Sequence, residues 1–179
     1  ALKGPQGTVI PLDQARPLIC RLVQNPAIAL VGQNFKFDWQ ILAHHGMEPH
    51  GVDFDTMIAA WMNDSTRNVY NMDALAEEFL SYRTIHFTDL FAPEVVAAGK
   101  KAPELLHFSR VPLDKAARYS AEDADVTFRL REKLLPLLES KGLIDLFRSV
   151  EMPLIPVLAR IEYRGMNLDA MELAAYSQE

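Results

Sequence analysis

An α/β fold with a largely parallel or mixed sheet is predicted by three features of the sequence. Ile28-Ala29-Leu30-Val31 is a continuous apolar run of strand length, the pattern of a strand covered on both faces. Gly51-Val52-Asp53-Phe54 is a second short strand. Between and after them lie helical segments, several preceded by a residue able to cap them, so strands and helices alternate.

Composition bounds what such a fold can do. Hydrophobic residues make up 49% and charged residues 23%, which suffices for a core within 179 residues and leaves room for the start of a second unit. A net charge of −6 excludes a general basic surface for nucleic acid, but not a site that meets a phosphate through cations held by its own carboxylates. The single cysteine, Cys20, excludes an internal disulfide. No apolar run reaches the ~20 residues of a membrane span and no basic-then-apolar leader opens the chain, so a cytoplasmic protein with no membrane partner is expected. The opening Ala1-Leu2-Lys3-Gly4 reads as the middle of a longer polypeptide.

In chain order, Thr8 to Pro11 is a short strand candidate, and Asp13 is placed to cap a helix from about Gln14 to Gln24 with Pro17 near its first turn. Asn34 is placed to cap a helix from Lys36 to His45, which Gly46 ends. Its apolar side is Phe35, Trp39 and Leu42, so Asp38 is expected at the inward edge. Asp38 also follows the carboxyl end of the Ile28 strand, where open α/β sheets place their sites; the competing reading is that it only complements the helix dipole. Asp55 caps a helix through about Asn63, and with Asp53 it reads as strand end plus cap rather than a metal pair. Asn71 caps a helix whose apolar face is Met72, Leu75, Ala76, Phe79 and Leu80. Ser81 to Pro112 is loop-rich, with Ala97 to Pro103 an exposed loop.

The long segment from Leu113 to Leu138 carries the most informative stripe: Ala116, Tyr119, Asp123, Val126, Leu130, Leu134 and Leu137. Asp123 lies on it, while Glu122 and Asp125 lie off it. A carboxylate there costs several kcal/mol in desolvation unless a donor or a cation compensates it. Tyr119 precedes it by one turn on the same face. Helices from Leu143 to Glu151 and from Pro153 to Arg164 follow, the second with Leu154, Ile155, Val157, Leu158 and Ile161 inward, and a last helix runs to Glu179.

Gly32-Gln33-Asn34-Phe35-Lys36-Phe37-Asp38, Phe54-Asp55-Thr56-Met57, Met72-Asp73-Ala74-Leu75-Ala76 and Tyr119-Ser120-Ala121-Glu122-Asp123-Ala124-Asp125, in that order, resemble the 3'-5' proofreading exonuclease domain of bacterial family A DNA polymerases. Glu151 to Leu158 and Gly165 to Asp169 resemble the segment leading into the polymerase domain. The resemblance implies a ribonuclease H-like fold (a mixed sheet flanked by helices), an exonuclease domain over residues 1–150 and the start of the polymerase domain over 151–179. It implies hydrolysis of the last phosphodiester at a DNA 3' end with two divalent metal ions, Mg2+ or Mn2+. Asp123 and Asp38 would ligate metal and Tyr119 would orient the attacking water. Gln33, Asn34 and Phe37 would contact the frayed single-stranded 3' end, with Phe87 against its terminal bases. Partners would be DNA and the polymerase domain of the same parent chain.

The family's other two carboxylates form an Asp-x-Glu on its first strand, and nothing before Asp38 has that form. The family's order makes Thr8 to Pro11 its third strand, so the first two strands are expected about 30 residues upstream, and this chain alone is expected to be inactive. The alternative is a nuclease-dead domain that braces the polymerase or holds a strand. Where many relatives carry a basic residue this sequence has Val69-Tyr70, with Arg67 as the candidate substitute.

Overall fold

The computed structural model describes residues 10–99 and 106–177. Of the strand expected at Thr8 to Pro11, Thr8 and Val9 lie outside the described residues, as does the 100–103 part of the expected loop. The described residues form a mixed α/β arrangement, mostly helical. Helix α1 spans Leu12–Val23, strand β1 Leu30–Gly32, α2 Phe35–His44, β2 Val52–Asp55, α3 Thr56–Asn63, α4 Met72–Leu80, α5 Pro93–Gly99, α6 Leu113–Ser140, α7 Ile144–Leu146, α8 Met152–Arg164 and α9 Ala170–Tyr176.

Strands β1 and β2 pair in parallel across α2, with Leu30 opposite Val52, Val31 opposite Phe54 and Gly32 opposite Asp55. Asp53 is the extra residue that shifts the register, and its carboxylate lies 3.6 Å from Arg131. The sheet is shorter than the apolar run suggested. Ile28 and Ala29 precede it, Ala29 is exposed, and Leu30 and Val31 are only partly buried. Gly32 is required where β1 turns into α2, because any Cβ there would strike the Phe35 ring.

The core is formed where α6 crosses β1, α3 and α4. Val126, Leu130, Leu134 and Leu138 from α6 meet Leu75, Ala76, Ala59 and Ala60, all fully buried. Phe54 packs on Phe147 with ring centroids 4.9 Å apart. Burying such side chains contributes roughly 1.5–3 kcal/mol each before the ordering cost. Leu138, not the expected Leu137, ends the buried stripe, since a helix of 3.6 residues per turn drifts from a strict three-four spacing over about six turns. A smaller cluster of Leu90, Val111 and Ala116 packs with Phe91, Phe108 and Tyr119.

Several local expectations are corrected. Helix α1 starts at Leu12 after Pro11, so Asp13 lies in its first turn rather than at the cap and Pro17 in its second turn. Among the described residues, the passage from Ser81 to Pro112 contains α5 and 3-10 turns at Phe87–Leu90 and Phe108–Arg110, so Ala97 is helical rather than in a loop. Helix α7 runs through a π turn at Phe147–Glu151 directly into α8. Helix α8 packs on α2 and buries Met152, Ile155 and Ala159. Leu154, Val157, Leu158 and Ile161, expected inward, are 39%, 46%, 39% and 57% exposed. No helix among the described residues is long and apolar enough to cross a membrane.

Candidate active site

A cleft of about 520 Å3 opens at the carboxyl end of β1, between α2 and α6. Gln33, Asn34, Phe37 and Asp38 line it from the β1–α2 turn, and Asp123 from α6. Five of the seven predicted site residues therefore share one cavity. Tyr119 and Phe87 stand outside it, in the neighbouring aromatic cluster where Phe108 lies 6.5 Å from Phe87 and 6.1 Å from Tyr119.

The turn that carries Asp38 is organised by a residue 17 positions later. The Asp55 carboxylate, 1% exposed, accepts N–H bonds from Asn34 (3.2 Å) and Phe35 (2.7 Å) at the start of α2, and from Met57 (2.9 Å) and Ile58 (3.3 Å) at the start of α3. One side chain thus caps two helices. The expectation that Asn34 caps α2 through its side chain is corrected: Asn34 is left-handed (φ 56°, ψ 49°) and its amide makes no capping bond. Gln33 is anchored, donating to the Tyr70 carbonyl at 2.7 Å and accepting from the Thr56 hydroxyl. Phe37 is 62% exposed at the cleft, so it is not a core residue.

Asp38 differs from expectation in one respect. It is exposed rather than inward, because Phe35 and Trp39 take the buried side of α2 and leave Asp38 on the flank at the cleft. The crowding there still raises its carboxyl above the ordinary range, burial first and the Asp55 charge second, against a lowering by its own backbone N–H.

Asp123 has the opposite surroundings to Asp55. Its Oδ1 is buried and has no hydrogen-bond partner. Burial pushes its carboxyl up to about 6, and the charges of Glu122 and Asp73 add to the rise. No arginine or lysine compensates it in the described ion pairs. Tyr119 is held as a neutral phenol, its pKa raised by burial and then by Asp123, Asp73 and Glu122.

Two features went unforeseen. Glu122, expected off the buried stripe, is partly buried and accepts from the Tyr82 hydroxyl at 2.6 Å and the Ile85 N–H at 2.7 Å. Arg67, the candidate substitute for the basic residue lacking at Val69-Tyr70, has its guanidinium paired with Glu78 and 5.1 Å over the Phe79 ring. Among the described residues no three His, Cys, Asp or Glu side chains converge as a metal ligand set. Asp38 and Asp123 bring two carboxylates with raised pKa values to one cleft, and the buried Oδ1 of Asp123 has no partner, a donor chemistry that suits a hard cation.

Comparison with known proteins gives these residues a context. The 3'-5' exonuclease family model matches residues 7–139. The chain is 44% identical over 150 residues to DNA polymerase I of Treponema pallidum, 38% over 170 residues to that of Rhizobium leguminosarum and 40% over 161 residues to that of Pseudomonas aeruginosa. These matches cover 83%, 95% and 88% of this chain but only 14%, 16% and 17% of those proteins. The chain belongs to the 3'-5' exonuclease domain family of the family A DNA polymerases.

Proposed function

We propose that this domain removes 3'-terminal nucleotides from DNA within a DNA polymerase I, by hydrolysis supported by two divalent metal ions, Mg2+ or Mn2+. The observation that carries the reading is the unpartnered, buried Oδ1 of Asp123 in the same cleft as Asp38. A structural carboxylate at that depth would be met by donors. Asp123 and Asp38 would hold the ions, which supply positive charge where the attacking and leaving oxygens develop theirs. Asp123 itself must be ionised for this, so activity should fall as pH drops through about 6.

Tyr119 stays protonated and can therefore orient a water by hydrogen bonding, but cannot act as a phenolate base near neutral pH. Phe37, exposed at the cleft, offers a ring face for a base of the single strand, with Asn34 beside it and Phe87 across the aromatic cluster. Water is the nucleophile: its oxygen bonds to phosphorus, the P–O3' bond breaks and the 3' oxygen leaves with a proton.

The reading extends to a ribonuclease H-like sheet whose first two strands, with the remaining Asp-x-Glu carboxylates, precede Thr8 in the parent polypeptide. It places the exonuclease domain at residues 1–150 and the start of the polymerase domain at 151–179. This chain by itself should show no appreciable turnover. The parent protein with Mg2+ or Mn2+ should digest single-stranded DNA from its 3' end, and Asp123→Ala should lower that rate at least ~1,000-fold, an effect of about 4 kcal/mol. Digestion unaltered by the substitution removes the reading.

A further inference from the structure

We infer that His86, oriented by Asp73, binds a backbone phosphate of the DNA strand beside its 3' terminus; this rests on the exonuclease reading above. Asp73, in the first turn of α4, accepts from the Thr84 hydroxyl at 2.6 Å through Oδ1 and lies 2.9 Å from His86 Nδ1 through Oδ2. Thr84 is 4% exposed, so this arm of the carboxylate is fixed to the interior. The His86 backbone N–H is tied in turn to Asp89 at 3.2 Å. The ring is thus held by its Nδ1 side on a braced ledge, and its side chain remains 42% exposed.

The ledge adjoins the site. Met72, next to Asp73, lines the cleft with Asp123. The Asp73 charge reaches both Asp123 and Tyr119, and the Ile85 N–H is bonded to Glu122. Phe87 follows His86 directly and stacks toward Tyr119 through Phe108. In its charged form the imidazole has an N–H on each nitrogen, one for Asp73 and one for a phosphate oxygen. Of the guanidinium groups nearby, Arg129 pairs with Asp125 at 3.5 Å and lies over the Tyr82 ring and Arg67 is held by Glu78, while Arg83, three residues before His86, is exposed and in none of the described ion pairs. A domain of net charge −6 that draws a polyanion to two aspartates needs such a cation-capable group on the strand's path. Asp73 is then a positioning residue, acting through His86.

The test uses the parent polymerase. His86→Gln should raise KM for single-stranded DNA about 5–10-fold with kcat within about twofold, and lower the slope of log kcat/KM against log salt by about 0.7, the loss of one single-strand phosphate contact. His86→Arg should restore the slope, and Asp73→Asn should raise KM as His86→Gln does, read at pH 8, well above the value of about 6 near which the Asp73 charge bears on Asp123. In EDTA, an oligonucleotide with 5-iodouracil at its 3' terminus should crosslink within residues 84–91, with a lower yield in His86→Gln. An unchanged KM and slope, a loss that follows falling Tm and is not rescued by arginine, or crosslinks that avoid this segment would each overturn the inference. A wild-type enzyme without hydrolysis defeats the exonuclease reading instead, and the crosslink then decides this one.

Discussion

Asp55, buried beneath the β1–α2 turn, and Asp123, partly buried on α6 at the cleft, are carboxylates whose surroundings could hardly differ more. Asp55 receives four backbone N–H bonds and closes two helix termini. Asp123 has a buried oxygen with no partner, and like charges from Glu122 and Asp73 nearby. Burial raises the pKa of each, but at Asp55 the four donors oppose it and at Asp123 nothing does. The difference teaches how to separate a structural acid from a candidate functional one in the same fold: burial raises both, and the donor set distinguishes them.

The sharpest way to break the comparison is to remove the saturated carboxylate. Asp55→Ala would orphan N–H groups at the starts of α2 and α3, four donors of which one, that of Phe35, is buried and three are partly buried. Losing two caps at about 1 kcal/mol each, plus the desolvation of the unpaired donors, should cost roughly 3–4 kcal/mol. Denaturant unfolding would measure it, and because the β1–α2 turn carries Asn34 to Asp38, strand binding should weaken in parallel. A loss under about 1 kcal/mol would mean that Asp55 is no more structural than Asp123.

Asp123→Asn should do the reverse. Its folded pKa of about 6 lies above the ordinary 3.8, so the protonated form is the one the fold favours. The stability tied to this group is present below about pH 4 and is lost as pH rises toward and through about 6. At pH 8 without metal the ionised wild-type residue is a liability, and the amide should gain on the order of 1–2 kcal/mol after allowance for solvent screening at a partly open cleft. The gain should vanish near pH 4. Unfolding curves in EDTA at both pH values check it, and added Mg2+ should stabilise the wild type alone.

How much of this was legible beforehand follows from range. The caps of α3 and α4 depend on residues within three positions of Asp55 and Asn71, and both were readable. That Asp55 also closes α2 was not, because the bond spans 20 residues and exists only once β2 lies beside β1. The stripe on α6 placed Asp123 and Val126 to Leu134 correctly, since one periodic face meets one core. On α8 the same logic held only for Ile155: Leu154, Val157, Leu158 and Ile161 point outward, and the buried face is completed by Met152 and the small Ala159, which a rule favouring bulk overlooks. Asp38 and Asp123 could be expected at one cleft from strand-end and stripe arguments separately, while the exposure of Asp38 depended on which flank of α2 the core covers.

Glu122 offers the finest discrimination, being intermediate between the two aspartates with two donors, Tyr82 and Ile85. Glu122→Gln keeps the length of the side chain but cannot accept from both, and losing the Ile85 N–H bond should cost about 1 kcal/mol. The same substitution removes a negative charge whose effect on Asp123 is to raise its pKa. Asp123 should therefore titrate below about 6 in the variant, as a carboxyl-carbon NMR titration would show, and the low-pH limb of metal-dependent hydrolysis should move with it. An unmoved titration would leave the rise to burial and the Asp73 charge, with Glu122 a brace for residues 82–85 and no electrical part in the site.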